Sequence, residues 1–359
     1  MKPSTGFHST LIIIIILIFT LTNSCTEETS TSEQEPQIMT VTGPIPASEL
    51  GTTLAHEHVM VDWIGADSTG YHRWDRSEVI NRMQPYFEEA RDLGIQAVFE
   101  CTPAYLGRDP FLLREMSENT GLRFVTNTGY YGAVDNRFIP AHAWEESAEE
   151  LAARWIDEFN NGINGSDIRP GFMKISVAGE GALSDLHRKI VTAAALTHLE
   201  TGLTIISHTG GSDPAAEQVE LLKELGVDPS AWVWTHAQSG DLNTQINLGS
   251  QGAWISLDNF SYDPDREGEN QGNLDWFRER LMSLKNENLL NRVLISHDAG
   301  YYNPDEEGGG PIRGYTAISN YLLPALLEDG FTQDEISQLL IHNPAEAFGI
   351  RVRAFSEGD

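Results

Sequence analysis

Thr53-Leu-Ala-His-Glu-His58 ends a short apolar run on two histidines two residues apart. Side chains at i and i+2 leave a strand on the same side. Two imidazoles placed so converge on one point, which is how a strand offers two ligands to one metal ion. Four further candidate ligands follow, each at or near the end of its own apolar run: Lys174 in Gly171-Phe-Met-Lys-Ile-Ser-Val177, His208 in Leu203-Thr-Ile-Ile-Ser-His208, His236 in Trp232-Val-Trp-Thr-His236, and Asp298 in Val293-Leu-Ile-Ser-His-Asp298. Such repeated placement points to a metallohydrolase.

Working outward, short apolar runs alternate with amphipathic stretches. Expected strands are Thr52–Met60, Ala97–Cys101, Arg123–Thr128, Gly171–Val177, Leu203–Ser207, Ala231–Thr235, Ala253–Leu257 and Val293–Ser296. Expected helices between and after them include Ser77–Leu93, Phe111–Asn119, Trp144–Asn160, Ser184–Thr201, Pro214–Leu225, Leu242–Gly249 and Leu274–Leu284, with a helical region from Tyr315. Eight strand–helix units predict an α/β fold, a parallel (β/α)8 TIM barrel. Its active site belongs at the carboxyl ends of the strands, where the candidate ligands of the first, fourth, fifth, sixth and eighth strands fall.

The first residues have a different character. Lys2, the run Leu11–Phe19 and Ser24-Cys25 give a positive start, an apolar centre and a small residue before a cysteine, the layout of an export signal. The run is shorter than the ~20 residues of a spanning helix, although an uncleaved anchor is the alternative. Ser24-Cys25 resembles a lipoprotein cleavage site, with Thr22 where an aliphatic residue is usual. Residues 1–24 therefore read as a lipoprotein-type signal peptide and 25–37 as a disordered acidic tether. Residues 38–359 read as the barrel. The expectation is an exported protein held to a membrane by lipid at Cys25, on the periplasmic or outer face. Cys101, the other of two cysteines, would then be a buried inert thiol. A formal net charge of -30 repels nucleic acid and anionic lipid, which leaves a small neutral or weakly polar molecule as the substrate. Self-association into a homodimer stays open.

The ordered set resembles the phosphotriesterase family of the amidohydrolase superfamily. The resemblance rests on Gly51-Thr-Thr-Leu-Ala-His-Glu-His58, Lys174, Ser207-His-Thr209, Thr235-His236 and Ser296-His-Asp298. Gly107-Arg-Asp109 and Asn343-Pro-Ala-Glu-Ala-Phe348 support it, so that it spans residues 40 to 352. It implies two divalent transition-metal ions, zinc by default. His56, His58 and Asp298 would hold the more buried ion, and His208 and His236 the more exposed one. Lys174 would bridge the two as a carbamate, because an ammonium has no lone pair and repels cations. A hydroxide between the ions would attack an ester-type bond of a lactone, carboxyl ester or organophosphate triester. Asp298 would take its proton. The alternatives are a barrel lyase using Lys174 as a Schiff base and a non-catalytic ligand-binding lipoprotein.

Substrate signals are sparser. Tyr131, in Asn127-Thr-Gly-Tyr-Tyr131, matches the position where lactonase-type members carry a tyrosine beside the metals. Asp258-Asn-Phe260 departs from the Asp-Arg-Tyr of many lactonases. Tyr301 and Tyr302 are candidates to line the pocket, and Gly308-Gly-Gly-Pro311 reads as a loop beside it. His297 should point away from Asp298 and be structural. His72, His142, His187, His198 and His342 read as surface or packing residues. Glu100 is a carboxylate near the site.

Overall fold

The computed structural model describes residues 1–4, 6, 35–264 and 271–356. The chain divides into two compact units, Met1–Gln34 and Glu35–Asp359. Of the expected export signal, the apolar run Leu11–Phe19 and Ser24 lie outside the described residues, as does Cys25.

In the larger unit a hairpin of β1 (Gln37–Thr40) and β2 (Gly43–Pro46) precedes the barrel. The barrel strands are β3 (Thr53–Glu57), β4 (Ala97–Glu100), the interrupted pair β5 (Arg123–Val125) and β6 (Asn127–Thr128), β7 (Phe172–Ser176), β8 (Ile205–His208), β9 (Trp232–Thr235), β10 (Trp254–Leu257) and β11 (Val293–Ile295). All pair in parallel, β3-β4-β5 and then β6 through β11 in sequence order. β11 meets β3 to close the ring: Ser296 Oγ accepts from the His56 N–H at 3.0 Å, and the Asp298 N–H donates to the His56 carbonyl at 3.1 Å. This is the predicted (β/α)8 barrel.

Helices pack outside: α1 (Arg76–Asp92), α2 (Pro110–Thr120), α3 (His142–Glu145), α4 (Ala148–Asn161), α5 (Asp185–Thr201), α6 (Ser212–Glu224), α7 (Leu242–Ser250) and α8 (Gln271–Asn286). The expected helix Trp144–Asn160 is split in two. Ser147 caps α4 in a box with Glu150, and a hydroxyl that satisfies free N–H groups favours starting a new helix over continuing the old one. The region after Tyr315 is likewise broken into short α pieces joined by π-turns at Ile318–Leu322 and Gln338–His342.

Alternation on the strands sorts the apolar residues. Val98, Phe124, Met173, Ile205, Trp232 and Val293 join the large cluster that includes the helix residues. Phe99, Cys101, Phe172, Ile206, Val233 and Leu294 form a second cluster inside the ring. Ile38 and Leu50 from the amino-terminal segment and Phe348 from the closing helix Asn343–Phe348 join that interior cluster, plugging the end where the strands begin. Phe348 stacks on Phe99 with centroids 4.0 Å apart. Cys101 is buried within it, and burial pushes its thiol up, so it stays protonated.

Candidate metal centre

The interior changes two positions further along the same strands. Lys174 follows Phe172, His208 follows Ile206, and Asp298 stands four residues beyond Leu294. On β3 the pairing register shifts between Leu54 and Glu57, which lets His56 turn inward directly after the inward Ala55. His56 Nε2 lies 3.5 Å and His58 Nε2 3.2 Å from Asp298 Oδ1. Lys174 Nζ is 3.1 Å from His56 Nε2. On the neighbouring strands His208 Nδ1 and His236 Nε2 face each other at 2.8 Å. All six side chains line one cavity of about 430 Å³, whose other walls are Val61, Trp63, Leu106, Tyr131 and Tyr301. A roomier cleft, about 670 Å³ beside Tyr71, Trp74 and Tyr130, brings no such donor set together.

The imidazoles are oriented from behind. Asp258 Oδ2 accepts from His56 Nδ1 at 3.0 Å, and its Oδ1 accepts from His236 Nδ1 at 2.8 Å. Asp258 also takes the His236 N–H, Ser256 Oγ and Gln238 Nε2. His236 sits in the left-handed region at φ 64°, a strained conformation for such a residue, and Asp258 holds both its backbone and its ring there. Thr102 Oγ1 donates to the Met60 carbonyl, so it accepts from His58 Nδ1 at 2.7 Å. Three of the four rings therefore carry their proton on Nδ1 and turn the Nε2 lone pair to the cavity.

Charge follows from these contacts. Burial, reinforced by Lys174, lowers His56; burial pushes His58 down to about 4; burial and His236 hold His208 well below the usual range. Burial opposes a charged His236, but Asp258 overcomes it and raises that ring. Burial alone would raise Asp298, yet His56 and His58 hold it below the ordinary carboxylate range.

Comparison with known proteins agrees with this geometry. The phosphotriesterase family profile matches residues 36–348. A phosphotriesterase homology protein of Escherichia coli is 32% identical over 305 residues, covering 83% of this chain and 98% of its own. The chain belongs to the phosphotriesterase family. An aryldialkylphosphatase of Saccharolobus solfataricus is 26% identical over 85% of this chain and 96% of its own. Among solved structures, an organophosphorus hydrolase from Deinococcus radiodurans superposes with a TM-score of 0.77 at 27% identity, covering 88% of this chain and 98% of that one.

The phosphotriesterase family consists of binuclear metal-dependent hydrolases, and the residues here fit such a centre. Four imidazoles and a carboxylate face one cavity, and His56, His58 and Asp298 bring their donor atoms within 4.8 Å of one another. Lys174 is 1% exposed, and among the described residues no carboxylate lies within ion-pair reach of its Nζ. A buried ammonium without a counter-charge is costly.

Other expected residues find their places. Tyr131 lines the cavity with its hydroxyl 3.2 Å from His208 Nδ1. Tyr301 lines it too, and its hydroxyl donates to Asp298 Oδ1. Tyr302 does not: its ring packs into the outer core against Gly309, where even a Cβ would come within 2.2 Å of it. Next to the left-handed Tyr301, its side chain leaves on the opposite side. The Gly308 loop is therefore tied to Tyr302 and, through the Gly308 carbonyl, to Arg82, away from the pocket. His297 is structural, held between Glu57 at Nδ1 and the Ile318 N–H at Nε2. Glu100 accepts from the Val59 and Thr102 N–H groups, and burial pushes it up to about 8. Asp258 and Thr102 are the supporting residues that the sequence reading missed. The signal for Asp258 was present, a carboxylate immediately after the seventh barrel strand.

Proposed function

We propose that this protein is a binuclear metal-dependent hydrolase of lactones and carboxyl esters. The observation that supports it is the convergence of His56, His58, Lys174, His208, His236 and Asp298 on one cavity. His56, His58 and Asp298 would hold one divalent transition-metal ion and His208 and His236 the other, with zinc the default for nitrogen and oxygen ligands. Lys174, carbamylated, would supply the anionic oxygens between them. Bound ions would bring a water to hydroxide near neutral pH and polarise the scissile group.

The chain's own groups do the rest. Asp298 accepts the proton of the attacking water at Oδ1 or Oδ2. Asp258 keeps two imidazoles aimed. Tyr131 presents a hydroxyl beside His208, where a carbonyl oxygen can accept from it. Val61, Trp63 and Leu106 give the cavity an apolar wall. A neutral acyl group suits that surface better than an anion. A second reading, cleavage of organophosphate triesters, is favoured by the names of the Saccharolobus and Deinococcus relatives.

The test is elemental analysis of protein reconstituted with metal and bicarbonate, followed by a panel of lactones, aryl and alkyl esters, phosphotriesters and simple amides. The expectation is two ions per chain and preference for the carboxyl series. One ion per chain overturns the bridged pair; cleavage of amides without esters overturns the substrate class. We further infer that Cys25 carries a lipid tether. Cys25→Ser should move the protein from the membrane fraction to the soluble one, and retention on the membrane would mark Leu11–Leu21 as the anchor.

A further inference from the structure

Beyond β11 the chain reverses sharply. Asp298 (φ 52°), Gly300 (φ 99°) and Tyr301 (φ 70°) all lie in the left-handed region. Gly300 is obligatory, since a Cβ there would stand 1.8 Å from the His58 carbonyl oxygen. Strain in two non-glycine residues so close together persists only where the surroundings impose it, and it gathers at functional sites. Here it folds Tyr301 back over the metal ligands. The ring lies flat on His58, with centroids 4.7 Å apart and 23° between planes, and Trp63 continues the stack at 6.3 Å. The hydroxyl donates to Asp298 Oδ1 and borders the cavity.

We propose that Tyr301 is a catalytic residue that passes a proton from Asp298 to the departing oxygen of the substrate. The inference rests on the ester reading given above. Water attacks the acyl carbon and its proton goes to Asp298. The acyl C–O bond then breaks with its electron pair leaving on oxygen; Tyr301 gives its hydroxyl proton to that oxygen and takes back the one held by Asp298. Ester and water become acid and alcohol, and both side chains return to their starting forms. Two hydroxyls border the described cavity wall, those of Tyr131 and Tyr301. Tyr131 is turned to His208, whereas Tyr301 is bonded to the group that collects the proton.

The need for such a donor depends on the leaving group. An alkoxide, as from a lactone or alkyl ester, is strongly basic and must be protonated; a para-nitrophenolate leaves unaided. Tyr301→Phe keeps the stack and removes the hydroxyl. With metal content matched to wild type, its kcat/KM should fall by about 10²-fold or more for lactones and alkyl esters, and progressively less through phenyl to para-nitrophenyl esters, so that dependence on leaving-group basicity steepens. An even loss across the series would make Tyr301 only a positioning residue for Asp298, and no loss would make it wall; either overturns the relay. Wild-type enzyme gives a reading independent of the variant's folding. Deuterated solvent should slow alkyl esters more than the para-nitrophenyl ester, and an equal effect also counts against the relay. If wild type cleaves no member of either series, the ester reading itself falls, a result distinct from an even loss in the variant.

Discussion

Within one barrel, the interior presents two faces that share the same strands. Phe172 and Lys174, or Ile206 and His208, stand two residues apart, yet the first of each pair lies in an apolar layer and the second among imidazoles. In the lower layer specificity is low: any well-packed apolar set that fills the volume serves. In the upper layer each atom has an assigned partner, down to the ring nitrogen that carries the proton. The strands therefore act as a rigid ladder, stability residing on one rung and chemistry on the next. Substitutions confined to one layer should leave the other's property largely intact.

The largest expected effect is at Lys174. Lys174→Ala should bring hydrolysis below detection while leaving the thermal midpoint of the metal-free protein near that of metal-free wild type, because the lysine has one hydrogen bond to lose. A short carboxylic acid such as propionate should restore part of the rate by replacing the carbamate. Rescue by amines alone would instead favour the Schiff-base lyase. Phe348→Ala makes the converse change. It removes the stack on Phe99 and should cost about 3–5 kcal/mol of stability by denaturant titration, with two ions and an unaltered KM in the molecules that remain folded. If metal content falls in step with stability, the two layers are not separable.

Smaller changes probe the boundary. Asp258→Asn should weaken metal binding ~10–100-fold, measured by titration with a chelating dye, and should do so for both ions because one carboxylate holds a ring from each set. Loss of a single ion would show that the clamp serves one side only. Glu100 gives the smallest effect, and a pH-dependent one. Its folded value of about 8 lies above the ordinary 4.5, so between those values the folded state holds a proton that the unfolded chain has released. Stability from this group is thus complete below about 4.5 and is lost as pH rises towards 8. In metal-free protein, Glu100→Gln should gain on wild type by roughly 1–3 kcal/mol from pH ~5 to ~8; a constant difference would show that Glu100 does not titrate there.

Legibility in the sequence followed the same division. The candidate ligands were readable because a polar residue ending an apolar run stands out, and the family resemblance suggested their roles. The barrel was readable because alternation repeats eight times. The irregular features were not. The register shift in β3 leaves no mark in Leu-Ala-His-Glu, and the hairpin at Gln37–Pro46 is too short and proline-rich to show a period. Tyr301 and Tyr302 look equivalent as letters, and a left-handed backbone at the first sends them to opposite sides. Asp258 was passed over because its role depends on two rings 202 and 22 residues away.

The first and last barrel strands meet through Glu57, which accepts from Ser296 Oγ, from His297 at both backbone and ring, and from the Ala299 N–H across up to 242 residues. The residue that seals the ring stands between the two histidines that begin the candidate metal site. During synthesis His56 and His58 emerge early, but the strand that closes the ring beside them arrives last. A chain halted before Val293 would carry five of the six donors and no buried site to bind an ion. Metal uptake would then report that the whole barrel has been made.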